Sequence, residues 1–125
     1  KELLAALRIV DRGDIPVAQM RGGWAGEIGP MQFLPASYDK YAVDFDSDGR
    51  RDLFRSIPDM LASTANFLKG HGWQAGQPWH EGTHNYTVIR EWNRAEVYVK
   101  TISTMGQKLR EASPATPERR IGKAK

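Results

Sequence analysis

Apolar side chains recur at helical spacing in three stretches of this sequence. In residues 1–13 the stripe ends at Gly13, a residue type that commonly terminates helices, and consists of Leu3, Leu4, Leu7 and Val10. In residues 56–72 Ser56 is a good N-cap, and the apolar face consists of Leu61, Ala65 and Leu68. In residues 93–110 the apolar face consists of Tyr98, Ile102, Met105 and Leu109. The pattern therefore predicts three helices.

Shorter elements are predicted between and after these helices. Residues 35–42 predict a short helix with Pro35 at its first position, where proline is well tolerated. Residues 86–90, YTVIR, are rich in β-branched side chains and predict one short strand or an extended link. Residues 113–125 are basic and contain prolines, which predicts a disordered tail. The chain is therefore expected to be mainly α, with at most a short β element.

Composition narrows the class of protein. The chain has 125 residues, of which 40% are hydrophobic, enough for one domain with a modest core. It contains no cysteine, which excludes disulfides, thiolate zinc sites and cysteine nucleophiles. The net charge is +3 and its excess falls mostly in the tail, so a nucleic-acid partner is not expected. No apolar run approaches the length of a membrane span. The chain opens with Lys1 already inside a helical pattern, so we expect a processed or partial chain.

An acidic loop carries the first candidate chemistry. Asp44, Asp46 and Asp48 alternate and Gly49 follows, which matches the first half of an EF-hand calcium loop. Arg50 would then offer its backbone carbonyl as the next ligand. Like charges at this spacing repel one another unless a cation holds them.

The last ligand of that loop is not where an EF-hand has it. Arg55 stands at the twelfth position, where an EF-hand has a bidentate glutamate. Asp59, in the first turn of the next helix, is a candidate ligand that would close a longer loop, and Asp52 is a second candidate. We predict a structural Ca²⁺ or Na⁺ site and no organic cofactor. The alternative is a solvated acidic turn balanced by Arg50 and Arg51.

Residues 22–35, GGWAGEIGPMQFLP, form a glycine-rich corner that is not periodic. The pattern GxMQFxP after a glycine-rich turn resembles the substrate-groove motif of lytic murein transglycosylases. Three segments agree in order, namely WAGEIGPMQFLPASYDKYAVDFDSDGRRDLF, ASTANFLKGHGW and EWNRAEVY. Over roughly residues 1–110 the chain resembles the MltB-type, or soluble lytic transglycosylase B, family.

The resemblance implies part of a lysozyme-like α fold that carries a calcium-loop-like insertion. It implies cleavage of the MurNAc–GlcNAc β-1,4 bond of peptidoglycan without water, which leaves a 1,6-anhydromuramoyl end. Residues 1–112 would be the C-terminal part of the catalytic domain and residues 113–125 a basic tail. The partners would be glycan strands and the N-terminal part of the same domain, in the periplasm or cell envelope of a bacterium. The substrate-binding residues would be Gln32, Phe33, Asn93 and Tyr98.

The catalytic acid is not matched by any residue here. In the family it lies in a helix upstream of the glycine motif, so we expect it upstream of Lys1, with Glu27 the alternative inside the chain. The family often has Ser at Gly23, Ala at Glu27, and Tyr at Phe67 and Trp92. These departures keep two alternatives open: a lysozyme-like module that binds peptidoglycan without cutting it, and a calcium-stabilised interaction domain.

Overall fold

The computed structural model describes residues 1–113 and shows a mainly α chain. Within these residues there are five α-helices and one short 3-10 helix, and the β structure is limited to isolated bridges. The expected fold class is therefore confirmed. Contacts divide the chain into one compact unit, Lys1–Gln74, and a second that begins at Ala75. The predicted tail, apart from Ser113, lies outside the described residues.

The first unit contains three α-helices. They are α1 (Glu2–Asp11), α2 (Pro35–Tyr41) and α3 (Ile57–Gly70), and a 3-10 helix, Val17–Gln19, follows α1. Helix α2 packs against both α1 and α3. Each of the three α-helices agrees with a helix predicted from the sequence, whereas the 3-10 helix was not predicted.

Side chains of α1 and of Arg12, the residue that follows it, hold the start and one face of α2. The carboxylate of Glu2 accepts a hydrogen bond from the backbone N–H of Ala36 at 2.8 Å, so α1 caps a helix that lacks a side-chain cap of its own. Arg8 and Arg12 both donate to the carboxylate of Asp39. The hydrogen bond from the Arg12 guanidinium lowers the pKa of Asp39 below its ordinary value.

The buried face of α1 is not its leucine stripe. Ala5 and Ile9 face the core, whereas Leu3, Leu4 and Leu7 are between 56% and 73% exposed. The core of this unit is completed by Ile15, Ile28, Phe33, Tyr38, Tyr41, Leu53 and Phe67. The apolar stripe thus predicted the helix correctly but does not mark the side that packs within this unit.

Helix α3 turns a partly polar face inward. Ser56 caps it by accepting from the backbone N–H of Asp59, as the sequence predicts. Its buried positions are Asp59, Ser63 and Phe67, one turn apart, whereas Leu61 is 62% exposed. The hydroxyl of Ser63 accepts from the backbone N–H of Val43 at 2.8 Å, so backbone donors of the preceding loop select this face.

The second unit is a pair of packed helices, α4 (His84–Trp92) and α5 (Glu96–Ala112). Helix α4 shows that the predicted strand over residues 86–90 is wrong. The hydroxyl of Thr83 accepts from the backbone N–H of Tyr86 and starts the helix. Residues at helical spacing are then buried, namely Asn85, Tyr86, Val88 and Ile89. This capping and packing outweigh the weak strand preference of β-branched residues.

Helix α5 packs through small and medium side chains. Val99 and Ser103 are buried, whereas the predicted stripe of Ile102, Met105 and Leu109 is between 41% and 64% exposed. The hydroxyl of Ser103 donates to the carbonyl of Trp79 at 2.8 Å, and the Trp79 indole N–H donates back to the Ser103 carbonyl. Among the described helices, none combines the length and the apolar composition needed to cross a membrane.

Candidate functional site

The glycine-rich corner folds into two consecutive tight turns, which we call the double turn (residues 22–33). The first turn is closed by the bridge between Gly22 and Ile28, and the second by a bridge between Ile28 and Phe33. The Ile28 and Phe33 backbones exchange two hydrogen bonds, of 2.8 and 3.1 Å. Ile28 and Phe33 are buried at 3% and 2% exposure, so the base of the double turn is anchored in the core.

Glycine is required at Gly29 of the double turn and is only convenient at Gly23. Gly29 has φ +71°, and a Cβ there would lie 2.9 Å from the backbone carbonyl oxygen of Leu53. At Gly23 a Cβ would lie 2.8 Å from Oε2 of Glu27. Gly29 therefore lets the turn approach the segment before α3. At Gly23 the neighbouring atom is the end of a flexible side chain, which can move aside for a Cβ.

Gln32 is held in an unusual backbone conformation at the rim of the second turn. Its φ is +54°, in the left-handed region, where a side chain other than that of glycine costs about 1–2 kcal/mol. Its backbone N–H donates to the Gly29 carbonyl at 3.0 Å. Gln32 is exposed, while its neighbour Phe33 is buried and its ring meets that of Phe67 edge-on at 6.1 Å. The turn therefore directs a polar amide outward from a buried aromatic base.

Glu27 lies in the first turn and is half-buried. Its carboxylate accepts a hydrogen bond from the backbone N–H of Ala25 at 3.1 Å, which folds the side chain back onto its own loop. Trp24, two residues from Gly26 in the same loop, is fully exposed. Glu27 thus belongs to the same short segment as Gln32, but one oxygen of its carboxylate is hydrogen-bonded within its own loop.

Asn93 and Tyr98 lie in the second unit, at the corner between α4 and α5. Asn93 is the C-cap residue that follows α4, and its side-chain oxygen accepts from the backbone N–H of Ala95 at 2.9 Å. This bond leaves the amide NH₂ of Asn93 available as a donor. Tyr98 lies in the first turn of α5, and both side chains are half-buried. The corner therefore brings an amide and a phenol to neighbouring positions in the chain.

Phe67 and Trp92, at positions where the family often has tyrosine, lie in different units. Phe67 is buried in the first unit, where its ring centroid lies 5.2 Å from that of Tyr41 and 4.1 Å from that of His71. Trp92 is the last residue of α4 and is half-buried. Phe67 is thus a core residue of its unit, and Trp92 belongs to the segment that carries Asn93.

The acidic loop brings together three of the carboxylates expected from its sequence. Asp44, Asp46 and Asp59 each offer an oxygen atom, and these oxygens all lie within 4.8 Å of one another. An all-oxygen set of this kind suits a hard cation such as Ca²⁺. Asp48 is not part of this cluster, and its carboxylate instead accepts from the backbone N–H of Arg50 at 2.8 Å. Asp52 caps the following turn by accepting from two backbone N–H groups.

Asp59 ties the loop to α3. It is 0% exposed, and its two carboxylate oxygens accept from the backbone N–H groups of Phe45 and Asp52, at 2.7 and 2.9 Å. The start of α3 also holds Asp46, because the hydroxyl of Ser56, the N-cap residue, donates to its carboxylate at 3.1 Å. Ser56 and Asp59 have the spacing of a capping box, but the Asp59 carboxylate accepts from the loop, and the N–H of Ser56 donates to the carbonyl of Asp52 at 3.2 Å instead.

Comparison with known proteins assigns the chain to a family. Residues 1–82 match the profile described as Transglycosylase SLT domain. The chain is 44% identical over 66 residues to membrane-bound lytic murein transglycosylase B of Escherichia coli strain K12, a stretch that covers 53% of this chain and 18% of that protein.

Solved structures agree with the match. SltB3 from Pseudomonas aeruginosa, in complex with NAG-anhNAM-pentapeptide, superposes with a TM-score of 0.80 and 30% identity over 87% of this chain and 45% of that one. Escherichia coli SLT35, in complex with calcium, superposes with a TM-score of 0.75 and 25% identity over 89% of this chain and 53% of that one.

The chain therefore spans less than a fifth of its curated relative and about half of the solved structures it matches. The family profile nevertheless covers well over half of the chain, and the resemblance found in the sequence is confirmed. The chain therefore belongs to the transglycosylase SLT domain family, alongside the lytic murein transglycosylases.

Proposed function

We propose that this chain forms part of a peptidoglycan lytic transglycosylase. The enzyme would cleave the MurNAc–GlcNAc β-1,4 bond without water and leave a 1,6-anhydromuramoyl end. Residues 1–112 would supply part of the substrate groove together with a structural metal loop. Family membership supports the proposal, as does SltB3, a relative whose structure holds NAG-anhNAM-pentapeptide. The relative named membrane-bound lytic murein transglycosylase B supports a place in the bacterial cell envelope.

The observation that carries the proposal is the conformation of Gln32. A buried anchor of Ile28 and Phe33 holds the exposed Gln32 at φ +54°. Left-handed backbone at a residue other than glycine persists only where the surrounding structure imposes it, and such residues concentrate at functional sites. An amide both donates and accepts, so it suits the N-acetyl groups of a glycan strand. We assign the glycan contact to Gln32 and its support to Phe33.

In the second unit, Asn93 and Tyr98 at the corner between α4 and α5 would also contact the glycan. Asn93 would donate from its amide NH₂, because its oxygen is bonded to the N–H of Ala95. Tyr98, half-buried in the first turn of α5, would offer its phenol to the same sugar.

The reaction needs one acid. That acid protonates the leaving oxygen, and its carboxylate then takes the proton from the C6 hydroxyl of the sugar, which closes the anhydro ring. We assign this role to a residue of the enzyme that precedes Lys1, with Glu27 the alternative within the chain. The assignment is supported by the position of the Glu27 carboxylate, which accepts from its own loop at Ala25.

The acidic loop would hold Ca²⁺ or Na⁺ through Asp44, Asp46 and Asp59, with the carbonyl of Arg50 as a further ligand, whereas Asp48 would serve the turn by accepting from the N–H of Arg50. Three clustered carboxylates support this, as does the structure of SLT35, a relative solved with calcium. The ion would neutralise the repulsion between the carboxylates and fix the loop to α3. Its role would be structural.

The substitution Gln32→Gly tests the glycan contact with little risk to the fold. Glycine adopts the left-handed region freely, so the free energy of unfolding should be unchanged or rise by up to about 1 kcal/mol. Removal of the amide should lower the release of anhydromuramoyl products from purified peptidoglycan at least about tenfold, the effect of one lost hydrogen bond of about 1.4 kcal/mol. The assay is mass spectrometry of soluble products formed by the enzyme that contains this chain.

The matched control is Gln19→Gly, because Gln19 is an exposed glutamine outside the double turn. Product release should be unaffected by this change. Wild-type turnover in Gln32→Gly would contradict the role of Gln32. Retention of the wild-type enzyme on peptidoglycan without any anhydromuramoyl product would favour a binding module instead.

A further inference from the structure

A buried tyrosine links the two helices of the second unit, and the proposed mechanism does not use it. Tyr86 of α4 is 5% exposed, and its hydroxyl donates to Oε1 of Glu96, the first residue of α5, at 2.8 Å. Desolvation by burial and the bond to Glu96 raise the pKa of Tyr86 to about 12. The hydroxyl therefore keeps its proton, and can donate to Glu96, to a higher pH than an ordinary tyrosine would.

Glu96 collects contacts from both helices. Its second oxygen lies 3.7 Å from the guanidinium of Arg90 on α4, and its first lies 3.9 Å from the ammonium of Lys100 on α5. Lys100 also pairs with Glu81 at 3.4 Å. These ion pairs are about half exposed and are worth little in water, so the bond from the buried Tyr86 is the strongest of the set.

This link spans a corner of only three residues. Asn93, Arg94 and Ala95 connect the end of α4 to the start of α5. The Asn93 side chain bonds the N–H of Ala95 inside the corner, and Tyr98 follows Glu96 by two residues. A shift of Glu96 would therefore displace Asn93 and Tyr98 together.

We propose that Glu96, held by Tyr86, is a positioning residue that fixes the α4–α5 corner and so aims Asn93 and Tyr98 at the glycan strand. The inference rests on the proposed function for the substrate contacts of Asn93 and Tyr98. Glu96 itself acts through the corner and takes no part in the chemistry.

Three substitutions test this role in the enzyme that contains the chain. Tyr86→Phe removes the donor and Glu96→Ala removes the acceptor, and each should raise KM for glycan strands about five- to tenfold, with a smaller change in kcat. Glu96→Gln should restore most of the affinity, because its amide oxygen still accepts from Tyr86. Glu81→Ala is the matched control, because it removes only the exposed pair with Lys100 and should leave KM unchanged.

A second readout follows the corner directly. Hydrogen exchange at the backbone N–H of Ala95 should accelerate in Tyr86→Phe and Glu96→Ala, and remain at the wild-type rate in Glu81→Ala. Adding Glu96→Ala to Asn93→Ala should change KM less than it does in the wild-type background, since Glu96 acts partly through Asn93.

The outcomes separate the two proposals. If the wild-type enzyme forms no anhydromuramoyl product, the proposed function fails, and exchange at Ala95 still measures the link. If products form and Asn93→Ala raises KM, while Tyr86→Phe and Glu96→Ala leave both KM and the exchange at Ala95 unchanged, the positioning role is overturned. An Asn93→Ala enzyme with wild-type KM also overturns it, since the aimed residue would then make no contact.

Discussion

Asp59 offers a sharp test of how the acidic loop is held. Its carboxylate is 0% exposed and accepts from the backbone N–H groups of Phe45 and Asp52, which stand on either side of the loop. In Asp59→Asn one of those oxygens becomes an NH₂ group, which faces an N–H donor that it cannot satisfy. The substitution keeps the size of the side chain and removes one acceptor and the charge.

The cost follows from the bonds that are lost. A hydrogen bond to a charged group contributes about 1.5–3 kcal/mol, and a buried donor left unsatisfied costs about 1–3 kcal/mol. Because these contributions overlap, we expect Asp59→Asn to lower the free energy of unfolding by about 2–4 kcal/mol. With a urea m-value of about 2 kcal/mol/M, the unfolding midpoint should fall by about 1–2 M.

The assay is urea unfolding in the presence of a chelator, so that no cation contributes. Asp46→Asn is the control, because this exposed carboxylate accepts one neutral hydrogen bond, from the hydroxyl of Ser56, and the substitution should cost less than about 1 kcal/mol. Calcium should then stabilise the wild-type chain in a concentration-dependent manner and leave Asp59→Asn largely unaffected. A midpoint for Asp59→Asn equal to that of the wild type would refute the reasoning.

Two further predictions concern backbone space and pH. Gly29→Ala should destabilise the chain by at least about 2 kcal/mol more than Gly26→Ala, because both have positive φ but only the first would place a Cβ against Leu53; equal urea midpoints would contradict the close approach. Because Arg12 lowers the pKa of Asp39 from 3.8, the contribution of this pair is present above pH 3.8 and is lost as the pH falls through the lower, folded-state value. Asp39→Asn should therefore cost about 0.5–1 kcal/mol at pH 7 and almost nothing near pH 2, and a difference independent of pH between 2 and 7 would count against it.

Local sequence signals were enough to predict most of the helices. Apolar spacing and the Ser56 cap give α3, and Pro35 marks the start of α2. The glycine-rich corner and the alternating aspartates also stand out locally. These features depend on residues close together in the chain, and for that reason they are readable from the sequence.

The sequence does not reveal which side of a helix packs. Ala5 and Ile9 of α1 are buried within the first unit while its leucines are exposed, because α2 meets the side with small and branched residues. On α3 the polar residues Asp59 and Ser63 face inward because they accept hydrogen bonds from backbone N–H groups of the preceding loop. The partner of a face is set by tertiary contacts, which local periodicity does not encode.

The helix over residues 84–92 and the Tyr86–Glu96 link were missed for a related reason. β-branched residues favour strands only weakly, and the cap at Thr83 together with burial of one face decides for a helix. Tyr86 and Glu96 stand ten residues apart and meet only because α4 and α5 fold back on each other. No short motif marks such a pair.

The most direct test of the glycan contact is an NMR titration of the ¹⁵N-labelled 125-residue chain with soluble GlcNAc–MurNAc oligosaccharides. We expect saturable shifts at the side-chain amide of Gln32 and the backbone N–H groups of Gly29 and Phe33, and at the side-chain amide of Asn93. The variant Gln32→Gly should weaken the binding. Resonances of the double turn and of Asn93 that stay unchanged at high oligosaccharide concentration would contradict the assignment of these residues to a peptidoglycan site.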